Sequence, residues 1–99
     1  MKRYSVIFSN DAVDDLSSSI QWGCENWGED RTWAWYRKTR DRIINNLSAM
    51  PLSYPISPDN EEYEVDVRQM MIGRYRVLFS VGRKEVTILH LKGPYSGKN

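Results

Sequence analysis

Along this chain the spacing of apolar residues changes character three times, and each change predicts an element. Residues 3–8, RYSVIF, put Tyr4, Val6 and Phe8 on one side of an extended backbone, the alternation of a strand with one buried face. Ser9, Asn10 and Asp11 follow. Their short polar side chains can accept from the unpaired N–H groups of a first helical turn, so a helix is expected to start there. Ala12, Leu16, Ile20, Cys24 and Trp27 then recur at intervals of four and three, one stripe of a helix. Gly28 stands where a left-handed residue would stop it.

A second helix is expected from about Glu29 to Ala49. Glu29 and Asp30 suit the positive N-terminal end of its dipole, and Pro51 stops it. Its expected buried stripe is Trp33, Tyr36, Ile43, Ile44, Leu47 and Met50, with Arg31, Arg37, Lys38, Arg40 and Arg42 over much of the rest. Two helices joined by a short glycine turn form a hairpin. PLSYPISPDNEE, residues 51–62, carries three prolines and reads as a loop.

The period then returns to two. Val65 and Val67 alternate with Glu64, Asp66 and Arg68. Tyr75, Val77, Phe79 and Val81 alternate with Arg76, Leu78 and Ser80, and Val86, Ile88 and His90 with Thr87, Leu89 and Leu91. Gly73 marks a tight turn or bulge, and Gly82-Arg83-Lys84 a hairpin turn. The expected fold is α+β in the order β-α-α-β-β-β. The sheet is expected to be antiparallel, its last three strands a meander, with the helical hairpin packed on one face and the other face partly open.

At 99 residues the chain, 1–99, is expected to be a single domain. A net charge of +1 hides an uneven distribution. Asp59, Glu61, Glu62, Glu64 and Asp66 form an acidic segment, most simply a solvated loop. From Arg68 to Asn99 the cations Arg68, Arg74, Arg76, Arg83, Lys84, Lys92 and Lys98 face Glu85 alone. Such asymmetry points to nucleic acid or an acidic protein partner. Cys24 is the only cysteine, which excludes an intrachain disulfide and suits a reducing compartment. No apolar run approaches membrane-spanning length, and MKRYSVIFSND lacks a signal-peptide core, so a cytoplasmic protein is expected.

Four segments, taken together, resemble the RelE/ParE family of bacterial toxins. They are YSVIFSNDAVDDL from Tyr4 to Leu16, IINNLSAMP from Ile43 to Pro51, VRQMMIGRYRVLFSV from Val67 to Val81, and EVTILHL from Glu85 to Leu91. The resemblance covers nearly the whole chain. It implies a toxin of a type II toxin–antitoxin (plasmid stabilisation) module, silenced by a cognate antitoxin that wraps it. It also implies growth inhibition without metal or cofactor, and a possible homodimer or toxin–antitoxin hetero-oligomer.

The family divides by target. ParE-like members poison DNA gyrase by protein contact; RelE-like members cut mRNA on the ribosome. On the second reading the resemblance assigns catalysis to Arg76 and Arg68, which match family arginines, with His90, Lys92 and Tyr95 as further candidates. The two lysines usual on the preceding strand of RelE fall at Glu64 and Asp66, which would repel a phosphate. The nuclease set is therefore incomplete, and the ParE-like reading is preferred. A degenerate member that only binds antitoxin is a third reading.

Candidate binding residues are Arg74, Arg83, Lys84, Lys92 and the tryptophans Trp22 and Trp35, which fall off the helical stripes that include Trp27 and Trp33. The competing structural readings are packing of these tryptophans around the hairpin, His90 held by a backbone neighbour, Tyr95 packing in the tail, and Cys24 buried as a small hydrophobe.

Overall fold

Ser9 stands between the first strand, β1 (Ser5–Phe8), and the first helix, α1 (Asn10–Asn26), in the computed structural model, which describes residues 3–93. Its Oγ accepts from the Ala12 N–H at 3.1 Å, the expected N-cap. Gly28 (φ 93°) separates α1 from α2 (Glu29–Ala49) in a conformation that side chains with a Cβ disfavour. Three strands follow: β2 (Arg68–Ile72), β3 (Tyr75–Val81) and β4 (Glu85–Lys92). The order β-α-α-β-β-β and the hairpin on one face are as the sequence predicts.

The sheet order is β1-β4-β3-β2. The meander β2–β4 is antiparallel, and β1 joins β4 in parallel, so the sheet is mixed. Alternation in RYSVIF looks the same for either direction of pairing. Gly73 (φ 57°) and Arg74 form the two-residue turn between β2 and β3. A positive φ at the first central position alone is the type II′ pattern that suits strand twist.

The core lies between hairpin and sheet: Ala12, Leu16, Ile43, Leu47, Met70, Ile72, Tyr75, Val77, Phe79, Val86, Ile88 and Leu91, with Tyr4, Val6 and Phe8 packed against it. Two stripes are rotated from those expected. On α2, Trp33 is 42% and Met50 65% exposed, while Thr32, Thr39, Ile43 and Leu47 are buried. On α1, Ser19 and Gly23 are buried, and Cys24 is a partly exposed free thiol. The helix–helix seam explains this. A Cβ at Gly23 would lie 2.7 Å from Thr32 Oγ1, so small residues bring the helices close and apolar ones take the flanks.

A β-bulge corrects the expected face of His90. Leu78 pairs with His90 but Phe79 with Ile88, leaving Leu89 as the extra residue on β4. Beyond it the alternation inverts. Leu91 enters the core and His90 turns to the other face.

The loop after α2 also differs from expectation. The strand begins at Arg68, and Val65 is exposed, because residues 55–67 fold back along β2. Ser57 N–H donates to Val67 O at 2.8 Å, Gln69 N–H to Pro55 O at 3.0 Å, and Val67 N–H to Asn60 Oδ1 at 2.6 Å. These bonds occupy the outer edge of β2, which would otherwise be an open template for pairing. They also carry the loop across the second sheet face, where Val67 and Leu78 are buried apart from the main core.

Candidate functional site

The pairing register decides which cations can act together. Arg76 is opposite Lys92, and Leu78 opposite His90, so Arg76, His90 and Lys92 share the sheet face away from the helices. Arg68 is opposite the core residue Phe79 and lies on the helix-side face. Its Nη1 donates to Tyr54 O at 2.6 Å. Arg68 and Arg76 are thus not brought together, and Arg68 does not pair with Glu64 or Asp66. Tyr95 lies outside the described residues.

The shared face is already occupied by carboxylates. The Asp59 Oδ2 atom meets Arg76 Nη2 at 3.2 Å and Lys92 Nζ at 3.4 Å. Arg76 Nη1 also donates to Gln69 Oε1 at 3.2 Å. The Asp59 N–H donates to Ser57 Oγ at 3.0 Å, which fixes the loop that delivers the carboxylate. Partial desolvation pushes the Asp59 carboxyl up, but Arg76 and Lys92 together outweigh it and hold it below its ordinary value of 3.8.

The sign follows. A carboxyl depressed in the folded state contributes stability above 3.8, and that contribution is lost as pH falls through the folded value. Asp59→Asn is therefore expected to lower the thermal midpoint at neutral pH and to approach the parent protein well below 3.8. Melting curves of both proteins at the two acidities test this. An equal difference at both would remove the ion pair as its cause.

His90 is held in the same manner. Its Nδ1 lies 3.1 Å from Asp15 Oδ2, and its Nε2 lies 3.8 Å from Asp11 Oδ2, one helical turn away on α1. Asp15 Oδ2 also accepts from the Leu91 N–H at 2.9 Å. The bulge at Leu89 and the end of β1 at Phe8 leave this edge of β4 without a strand partner. Ser9 and Asp15 of the helix start take over: Ser9 N–H donates to Ile88 O and Ser9 Oγ to Leu89 O. Tyr63 stacks obliquely beside His90, with ring centroids 6.5 Å apart. Burial pushes the Tyr63 phenol above its ordinary value of 10.0, although nearby Lys92 acts in the opposite direction, so it is neutral at physiological pH.

Asp59, Tyr63, Gln69, Asp11 and Asp15 were not foreseen as site residues. The acidic segment reads as solvated, and Glu61, Glu62, Glu64 and Asp66 are indeed exposed; Asp59 alone turns inward. Its only signal is the run of prolines before it, which forces the chain to double back.

The other candidates divide by position. Arg83 and Lys84 occupy the β3–β4 turn, and Arg74 the β2–β3 turn at the opposite end of β3. Seven residues at about 3.3 Å each separate the two clusters by about 20 Å. The basic third of the sequence is therefore two surfaces. Trp22 and Trp35, candidates either for binding or for packing around the hairpin, belong to an aromatic chain. Trp22 meets Trp27 edge-on at 5.2 Å, Trp27 meets Trp35 at 6.4 Å, and Trp35 meets Tyr75 at 5.4 Å. Tyr75 Oη donates to the buried Ser19 Oγ at 3.0 Å, tying sheet to hairpin.

Among the described residues no cluster of three or more His, Cys, Asp or Glu is arranged to hold a metal ion, and no helix is long and apolar enough to cross a membrane.

Against known proteins, residues 6–92 match the family model described as the ParE toxin of the type II toxin–antitoxin system parDE. A chain of the chromosomal ParDE system of P. aeruginosa has a TM-score of 0.74 at 19% identity, over 92% of this chain and 96% of that one. A chain of the RelBE2 toxin–antitoxin complex of Mycobacterium tuberculosis has a TM-score of 0.62 at 21% identity, over 97% of each. No functionally curated protein matches the chain. The solved structures carry the fold, and the family model spans nearly all the elements described above: this chain belongs to the ParE toxin family of type II toxin–antitoxin systems.

Proposed function

We propose that this toxin inhibits DNA gyrase by protein contact and is neutralised by a cognate antitoxin. The observation that carries the reading is the bridging of Arg76 and Lys92 by Asp59. Phosphodiester cleavage needs cations aimed at the developing phosphate charge and a free acid or base. Here both cations meet a carboxylate of their own chain, and His90 meets two more. A scissile phosphate on this face would approach three acidic side chains. Contact with a protein target has no such requirement, and the ParE family match supports the same branch.

The ribosome-dependent ribonuclease is the second reading. It is favoured by the convergence of Arg76, His90 and Lys92 on one face, and it requires Asp59 to be displaced by substrate. Arg76→Gln separates the two. Expressed without antitoxin, the variant is expected to arrest growth as the parent does, while purified protein blocks gyrase supercoiling in both forms. A fall in mRNA cleavage by about 10²–10³-fold, the usual cost of losing a charge-stabilising donor, would establish the nuclease instead. No growth arrest by the parent itself would mean a degenerate toxin that keeps only antitoxin binding.

A further inference from the structure

On the helix side of the sheet, away from Arg76 and His90, a cleft of about 300 Å³ opens between α2 and the β2–β3 turn. Lys38 and Arg42 of α2 and Arg74 of the turn line it, together with half-buried Trp35, Thr39, and the backbone of Gly73. No carboxylate lines it. The contrast with the opposite face is one of compensation. Arg76 and Lys92 are neutralised by Asp59, whereas Lys38, Arg42 and Arg74 make no ion pair or hydrogen bond among the described residues. Three uncompensated cations around one recess repel each other, and an anion relieves that repulsion.

Arg31 extends the basic strip. It is one turn before Trp35 on α2, and its guanidinium lies 5.8 Å from the Trp27 ring centroid. Arg31, Trp35, Lys38 and Arg42 fall at intervals of four, three and four, a single helical stripe.

We propose that this cleft binds single-stranded nucleic acid, with a backbone phosphate among Lys38, Arg42 and Arg74 and the adjoining base against the Trp35 side of the recess. An acidic peptide would satisfy the cations but not use the aromatic wall; a nucleotide offers an anion and a flat ring together. The proposal goes beyond gyrase inhibition and does not depend on it.

The test is fluorescence anisotropy of the purified toxin with a labelled oligothymidylate of about twelve nucleotides, with salt varied from about 50 mM upward. Lys38→Ala/Arg42→Ala/Arg74→Ala is expected to weaken binding at least about tenfold and to flatten the salt dependence by about 0.7 in log–log slope, as loss of one neutralised phosphate on a single strand requires. All three side chains are on the surface, and melting curves check that the fold survives. The charge-matched Arg3→Ala/Arg37→Ala/Arg40→Ala, at exposed positions outside the cleft, is expected to change affinity by no more than about threefold. An equal loss in both triple variants would overturn the site, leaving only general attraction of positive charge. So would undetectable binding by the parent. Polyglutamate of the same length competing as well as the oligonucleotide would overturn the ligand class and make the cleft a receptor for acidic protein.

Discussion

Phe79→Ala is expected to cost about 3–5 kcal/mol, the range for truncating a fully buried aromatic. Phe79 is wholly buried on the central strand β3, opposite Arg68 and Ile88, and meets Tyr54 edge-on at 6.0 Å. Hairpin, sheet and the chain leaving α2 all close on this ring, so the site has little freedom to collapse. Domains of this size have about 5–15 kcal/mol in all. Each kcal/mol moves the thermal midpoint by about 4–8 °C, so a fall of at least about 12 °C is expected by circular dichroism. A shift below about 5 °C would mean that Phe79 is not the centre of the core. The variant would lose toxicity through unfolding, so it must never be read as a target-contact mutant.

Asp15→Ala is expected to cost about 2 kcal/mol, seen as a lower urea midpoint. The substitution strips the acceptor from the Leu91 N–H at 2.9 Å and from the His90 ring at 3.1 Å. A buried backbone donor left without a partner costs more than the bond was worth, because water cannot replace it. Asp15→Asn keeps one acceptor oxygen and should recover about half of the loss. Asp14→Ala, at an exposed position one residue away, is expected to stay within about 0.5 kcal/mol. Equal effects at Asp14 and Asp15 would point to helix N-terminal charge rather than to the bulge. This prediction also separates positioning from catalysis: if His90 serves only to pin α1 to β4, Asp15 variants lose stability and keep gyrase inhibition in proportion to folded protein.

Much of this was legible from local pattern. The bounds of both helices follow from Ser9, Gly28 and Pro51, residues whose effects act over a few bonds. The face of β3 followed from Tyr75, Val77 and Phe79. The face of β4 did not, because one extra residue at Leu89 inverts every later position, and a bulge leaves no mark in an alternating run. Trp33 was misplaced for a related reason. An apolar stripe was sought where the helices meet, but Gly23 and Thr32 form that seam, and Trp35 turned to the sheet while Trp33 turned outward.

The site shows the same division. Resemblance named Arg76 and Arg68, with His90 and Lys92 beside them, but only pairing register put Arg76, His90 and Lys92 on one face and Arg68 on the other. The acidic segment was visible as charge, without any sign that Asp59 would neutralise two cations far along the chain. By itself the sequence determined the order of elements, the family and the stock of charges, since these depend on residue type and local spacing. Tertiary structure alone decided which charges are cancelled and which remain open to a ligand. That outcome depends on distances between residues remote in sequence, and a charge attracts or repels according to what stands beside it in space.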